Sequence, residues 1–347
     1  MRRPGTVRLV LVDDSSTVRA VLRRLLSPAV GIEVVGEAAD GATAVEVVLR
    51  SRPDVVIMDV EMPVMDGFAA TERIMAVRPT PILVLSSRAN RDHVHTAFEA
   101  IRRGAVEVLG KPENTAGWEN FSRTLPETVR TLSGVLPSVP QRPRSTAGAP
   151  VLLPRRDLRW VAVGASTGGP GALRELLAAL PERVPVSILI VQHIAQGFES
   201  GMADWLATQL SRDVRLAREG ELVPPGAVRL APAEAHLVLD QVGRTQLDTA
   251  SPPRRGHRPS VDELLLSCAR AHGTRTAGVL LSGMGSDGVE GLAALNEAGG
   301  LTLVQDEATS VVFGMPRAAL ERGAAEISLP PAGIAAALAD CWQRERP

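Results

Sequence analysis

Three side chains of complementary chemistry stand just past apolar runs in the second half of the chain: Ser166 after "VAVGA", His193 after "ILIVQ" and Asp287 after "VLLSGMGS". A serine hydroxyl becomes a competent nucleophile when a neutral imidazole takes its proton, and a carboxylate can orient that imidazole and stabilise its charged form. Parallel strands ending together would bring all three to one crevice. The turn around the serine, "VGASTGGPG" (163–171), admits two readings. Gly164 to Gly168 fits G-x-S-x-G, which exposes a serine at the end of a strand. Gly164 to Gly169 nearly fits a phosphate-cradling G-x-G-x-x-G. The phosphate reading needs an acidic residue closing the next strand to hold a ribose, and "VSILIVQH" closes in Gln192-His193. The nucleophile reading is favoured, and the glycines leave amide groups open to a transient oxyanion. The chain order Ser, His, Asp differs from that of α/β-hydrolases and from both protease orders, so such a triad sits on a different fold. Plainer roles compete: Ser166 and Asp287 as N-caps of the helices that follow them, and His193 as a hydrogen-bonded residue at a strand end.

A second constellation lies in the first half. Asp13 and Asp14 close one apolar run, Asp59 closes another within "MDVEMPVMDG", Ser86 closes "ILVLS", and Lys111 follows "AVEVLG". Three carboxylates at converging strand ends repel one another unless a hard cation such as Mg²⁺ joins them through oxygen. A hydroxyl and an ammonium beside them can hold the oxygens of a phosphoryl group on one carboxylate.

The elements that position these residues follow from periodicity. Five β/α alternations between residue 7 and about residue 130 predict a parallel sheet with helices on both faces. In the first helix, Val18, Val21, Leu22, Leu25 and Leu26 share a face. A second alternation starts at Arg159 with the buried-strand runs "WVAVGA", "VSILIVQH" and "TAGVLLSG". Between the last two, "EGELVPPGAVRLAPAEAHLVLDQVGRTQLDTASP" alternates and is rich in turn residues, which predicts short antiparallel strands or hairpins. In "GHRPSVDELL", Ser260 and Glu263 read as a capping box; for His257, packing and facing the crevice stand level. The expected fold class is α/β: two doubly wound parallel-sheet domains, a flavodoxin-like one and a Rossmann-like one with a β-hairpin insertion. The expected boundaries are 1–125, a proline-rich linker over 126–157, and 158–347.

Composition bounds the function. The 347 residues carry a formal net charge of −1, with 45% hydrophobic, 22% charged and 3% aromatic residues and no tyrosine. A near-neutral chain has no field to draw it to nucleic acid or membrane, and few exposed rings on which bases would stack. No apolar run reaches the roughly 18 residues of a membrane span, and "MRRPGT" lacks the apolar core of a signal peptide. Cys268 and Cys341 form no C-x-x-C and read as packing residues in a reducing compartment.

Residues 7 to about 125 resemble a response-regulator receiver domain. The resemblance implies Asp59 as phospho-acceptor, Asp13 and Asp14 as the acidic pair, Ser86 as switch hydroxyl and Lys111 as the lysine before proline. It also implies the Glu61 backbone carbonyl as a further ligand to Mg²⁺, a cofactor for phosphorylation alone. Val108 stands where many receivers have an aromatic residue. With "GASTGGP", "VQH", "GHRPSVD", "SGMGSDG" and "QDEATSVVFGMP", nearly the whole chain resembles the chemotaxis protein-glutamate methylesterase/glutamine deamidase family. That resemblance implies Ser166 as nucleophile, His193 as general base and acid, Asp287 as its orienting carboxylate, the Met284 amide as oxyanion donor and Thr167 beside the nucleophile. It further implies γ-glutamyl methyl esters of chemoreceptors as substrate, a chemotaxis histidine kinase as phosphodonor and a cytoplasmic location, with no nucleic-acid partner and no membrane insertion. The alternative is a receiver joined to a catalytically silent receptor-binding domain. A nucleic-acid-binding regulator fits poorly, because the second half has no helix-turn-helix signature and no basic stripe.

Overall fold

The computed structural model describes residues 5–86, 91–112, 115–135 and 156–343. The chain divides into two compact units, Met1–Arg144 and Ser145–Pro347. In the first, β1 (Val7–Val12), α1 (Ser16–Leu25), β2 (Ile32–Ala38), α2 (Gly41–Ser51), β3 (Val55–Asp59), α3 (Gly67–Val77), β4 (Ile82–Ser86), α4 (Arg91–Arg102), β5 (Glu107–Gly110) and α5 (Thr115–Ser133) alternate strictly. The sheet is parallel, in the order β2-β1-β3-β4-β5. Every residue of β3 and β4 is buried, as expected of inner strands covered on both faces. Three helices begin at side-chain caps, where Ser15, Asp40 and Asp66 accept from the amides of Val18, Thr43 and Ala69. α5 passes residue 125 because Leu125, Val129 and Leu132 form a fully buried stripe. Of the linker read over 126–157, residues 136–155 lie outside the described ones.

The second unit comprises β6 (Trp160–Ala165), α6 (Gly169–Ala179), β7 (Ser187–Gln192), α7 (Glu199–Leu210), β8 (Val214–Leu216), β9 (Val228–Leu230), β10 (His236–Leu239), β11 (Thr245–Asp248), α8 (Val261–His272), β12 (Thr276–Leu280), α9 (Val289–Glu297), β13 (Leu301–Gln305), α10 (Met315–Glu321), β14 (Ile327–Leu329) and α11 (Pro331–Gln343). Its main sheet is parallel and seven-stranded, in the order β14-β13-β12-β6-β7-β9-β8. β10 and β11 form a separate antiparallel hairpin, pairing His236 with Asp248 and Leu239 with Thr245.

One expectation is corrected. The stretch read as short antiparallel strands or hairpins contains β9, which lies parallel between β7 and β8. "VRL" alternates like a half-exposed strand, yet all three residues are buried. The Arg229 guanidinium is compensated by Glu221 at 2.7 Å and Asp213 at 2.8 Å, which lets a charged residue occupy the interior. In both units the strand order turns back next to the first strand, between β1 and β3 and between β12 and β6. Open α/β sheets bind ligands outside the carboxyl ends of the strands at such a point.

Candidate functional site

In the second unit, β6 ends at Ala165 and β7 at Gln192, paired in register. The next amide, that of His193, donates to the Ala165 carbonyl at 2.9 Å, so Ser166 and His193 leave the sheet side by side. Ser166 is half-buried at the head of a tight turn, with its carbonyl accepting from Gly169 N at 2.7 Å and from the Gln192 side-chain amide at 2.8 Å. Gly168 makes the turn possible: at φ 76° it occupies the left-handed region and caps α6, and a Cβ there would collide with Val311. Ser166 therefore does not cap the helix with its side chain.

His193 Nε2 lies 2.8 Å from Asp287 Oδ2. Asp287 is buried, and burial alone would raise its pKa. The hydrogen bond and charge of His193, the Val261 amide and the Ser260 hydroxyl outweigh burial and hold the carboxyl well below the usual range. An ionised carboxylate only accepts, so Nε2 carries the ring proton and Nδ1 keeps its lone pair. Nδ1 is buried and has no hydrogen-bond partner among the described residues. The imidazole thus offers one basic nitrogen that no described residue uses.

Asp287 does cap a helix, but not its own. α9 begins after Gly288, whereas the Asp287 carboxylate accepts from the first amides of α8, Val261 N at 2.8 Å and Asp262 N at 3.1 Å. The capping-box expectation for Ser260 and Glu263 is also corrected. Ser260 Oγ donates to Asp287 Oδ1 at 2.8 Å, and Glu263 is taken by Arg254 at 2.7 Å. The buried carboxylate and guanidinium outcompete a local helix bond. The open question over His257 is resolved as well: its ring stacks on that of His193, centroids 4.0 Å apart and planes within 3°. Burial lowers the His257 pKa and the neighbouring His193 adds to the effect, which favours a neutral ring.

The third strand end supplies the floor. Ser166 N donates to the Ser282 carbonyl at 3.0 Å, and Ser282 Oγ donates to the Thr167 carbonyl at 2.7 Å. Ser282 N donates to Gln305 Oε1 at 2.7 Å, fastening the turn to β13. Gly283 follows: a Cβ there would meet Met315 Sδ and come within 2.8 Å of Ser166 Cβ. The Gly283 carbonyl accepts from Gly314 N and Met315 N at 3.1 and 2.9 Å, fixing one side of the peptide that leads to Met284. Met284 and Thr167 are both half-buried. Gln192, Ser282 and Gln305 had no assigned role from sequence reading, Ser260 was read only as half of a capping box, and His257 was left between two readings. Their partners lie between 23 and 115 residues away or in another element, so no local pattern marks them.

In the first unit, Asp13, Asp14 and Asp59 present carboxylate oxygens within 4.8 Å of one another. Asp13 and Asp59 are buried and Asp14 is exposed. Lys111 Nζ bridges Asp13 Oδ2 at 2.8 Å and Asp59 Oδ2 at 2.9 Å. Burial pushes the Asp59 carboxyl up to about 6 against the pull of Lys111. Burial opposes the Lys111 charge too, but its bonds to Asp13 and Asp59 keep its pKa above the ordinary value. Ser86 is buried at the end of β4, and its carbonyl accepts from Lys111 N at 2.8 Å. Glu61 follows two residues after β3, and Val108 is buried within β5. An all-oxygen cluster with one open, solvent-facing carboxylate suits a hard divalent cation.

Both units have known relatives. Residues 161–338 match the CheB methylesterase family, and residues 9–118 match the response regulator receiver domain. A protein-glutamate methylesterase/protein-glutamine glutaminase of Geobacter metallireducens is 43% identical over 340 residues, 96% of this chain and 98% of the relative. One of Anaeromyxobacter dehalogenans is 45% identical over 326 residues, 93% of this chain and 94% of the relative. The crystal structure of the Thermotoga maritima CheB methylesterase catalytic domain matches with a TM-score of 0.50 and 38% identity, over 52% of this chain and 97% of that one. Fold and relatives define a hydrolase that carries a response-regulator receiver. The chain belongs to the CheB methylesterase family.

Proposed function

We propose that this protein removes methyl groups from glutamate γ-methyl esters of chemoreceptors, releasing methanol, under control of phosphorylation at Asp59. The observation that carries the reading is the His193–Asp287 pair beside Ser166, with Nε2 committed to an ionised carboxylate and Nδ1 without a partner among the described residues. In the proposed reaction Ser166 Oγ attacks the γ-carbonyl while His193 Nδ1 takes its proton. Charge gathers on the carbonyl oxygen near the Met284 amide, with Thr167 in the same turn, and the N-terminus of α6 adds a favourable field. Collapse of the adduct expels methoxide, which receives the proton from His193. Water then repeats the sequence in reverse and frees the glutamate. An amide substrate releases ammonia by the same steps, which makes receptor glutamines a second substrate.

In the receiver, Asp59 is the proposed acceptor of a phosphoryl group from a chemotaxis histidine kinase in the cytoplasm. Asp13, Asp14, Asp59 and the Glu61 carbonyl would hold Mg²⁺, which when bound neutralises charge on the transferring phosphoryl oxygens. Lys111 and the Ser86 hydroxyl hold those oxygens once the transfer is made. Unphosphorylated receiver is proposed to restrict access to Ser166, and phosphorylation to favour a state that exposes it. Among the described residues no helix is long and apolar enough to cross a membrane.

Methanol release from methylated receptor membranes tests the reading. The parent should release methanol and Ser166→Ala should not; equal release from both would end the esterase assignment and leave the silent receptor-binding alternative. A phosphodonor should raise the parental rate and leave the Asp59→Asn rate where it was.

A further inference from the structure

Asp287 is held by more than the residues that meet the substrate. Its Oδ1 accepts from Ser260 Oγ and from Asp262 N, and its Oδ2 from Val261 N as well as His193. Ser260 and Asp262 have no exposed surface, and the Ser260 hydroxyl makes no capping bond to α8. A carboxylate turns about its bond to Cβ, and the angle of its plane sets how an oxygen meets an imidazole. A hydroxyl donor fixed on Oδ1 limits that rotation and holds Oδ2 in line with His193. Ser260 is itself fixed: its amide donates to His236 Nδ1 at 3.2 Å. His236 Nε2 lies 3.2 Å from the Pro252 carbonyl, so the partners assign the proton to Nε2 and the lone pair to Nδ1. His236 is buried on β10, and it ties both ends of the 252–260 segment that also bears His257. The hairpin contributes no reacting group, yet it spans the segment on which the geometry of Asp287 depends.

We propose that Ser260 is a positioning residue of the hydrolytic site that fixes the orientation of Asp287, and that His236 on the hairpin holds Ser260 in place. This rests on the reading of Ser166, His193 and Asp287 as a triad. The chain of contacts is continuous: ring nitrogen of His236, amide and hydroxyl of Ser260, carboxylate of Asp287, imidazole of His193. Support of this kind around a catalytic carboxylate governs turnover more than substrate affinity.

The test uses the full-length protein and methanol release from methylated receptor membranes, with rates expressed per serine titrated by an active-site phosphonate. Ser260→Ala should lower kcat about tenfold, the factor associated with one hydrogen bond to a charged group, and leave KM unchanged. Ser260→Thr keeps the hydroxyl and should recover most of the loss. His236→Asn keeps an acceptor for the Ser260 amide and should fall between the two. The downfield imidazole N–H resonance of the His193–Asp287 bond should be sharp in the parent and broadened in Ser260→Ala. If Ser260→Ala does not fold, Ser260→Cys, near in shape but a weak donor, carries the same expectation. Parental kcat and an unchanged resonance in Ser260→Ala or Ser260→Cys, with Ser166→Ala inactive, would overturn the positioning role alone. Activity in Ser166→Ala would instead overturn the triad beneath it.

Discussion

Two buried carboxylates in this chain have been driven in opposite directions, and their surroundings account for both. Asp59 is raised to about 6 by burial, although Lys111 stands beside it. Asp287 is equally enclosed but receives four donors, and it stays ionised. Asp59 titrates at about 6 in the folded state against an ordinary 3.8. Between those values the native state holds more proton than the unfolded one, so stability falls as pH rises through the window and stays lower above it. In a chelator, Asp59→Asn should therefore raise the stability of the receiver at pH 7, by on the order of 2 kcal/mol, an advantage that vanishes below about pH 4. Denaturant midpoints measured against pH would check this, and added Mg²⁺ should raise the parental midpoint but not that of the variant. For Asp287→Asn the sign is opposite. The amide would turn a donor toward a donor, so stability should drop by about 1–2 kcal/mol through the α8 cap and turnover by roughly ten-thousandfold. Ser166→Ala should abolish turnover while leaving the melting temperature near the parental value, which separates chemistry from folding. Asp59 and Ser166 were legible as candidate residues in the sequence because each stands at the end of an apolar run. Ser260 was not, since a serine followed three residues later by glutamate looks like a local cap. Only the folded chain shows that Arg254 has claimed Glu263 and Asp287 has claimed the hydroxyl.

Strands and helices were read from the sequence where periodicity and burial agree. β3, β4, β6 and β7 are buried throughout and apolar but for Asp59, Ser86, Ser187 and Gln192 at their ends, and their carboxyl ends marked where the candidate residues stand. β9 was misread because an arginine in a three-residue strand signals solvent, and its neutralising carboxylates come from neighbouring segments. The hairpin β10–β11 was visible from alternation and turn residues, but not its use as a clamp on the 252–260 segment. The loop after β12 offers a sharper test of how elements set the site. Gly283 lies against Ser166, with no room for a methyl group. Gly283→Ala should cost about 1–3 kcal/mol through overpacking, and methanol release should fall further than the loss of folded protein explains. Circular dichroism melts beside turnover per titrated serine would separate the two effects.

The molecule repeats one architectural solution: each unit places its candidate site residues, Asp13 and Asp59 in one and Ser166 in the other, where a parallel sheet turns back beside its first strand. Two such units in one chain were legible from the alternation of strands and helices, and the family from long motifs near Ser166, His257 and Asp287. The two chemistries share no residue, so they should separate cleanly. Ser166→Ala should still incorporate labelled phosphate, and Asp59→Asn should retain basal methanol release without the rise on adding phosphodonor. A variant losing both at once would argue that one unit completes the other's site. The Asp287 carboxylate has a last consequence. It closes the first turn of α8 and also bonds His193, so one ion ties the completion of a helix to the placement of the proposed base. On the proposed mechanism, a copy with α8 not yet seated would lack an aligned base and so lack esterase activity, a coupling that needs no extra domain. It predicts that activity regained during refolding will follow hydrogen-exchange protection of the Val261 and Asp262 amides rather than collapse of the sheet.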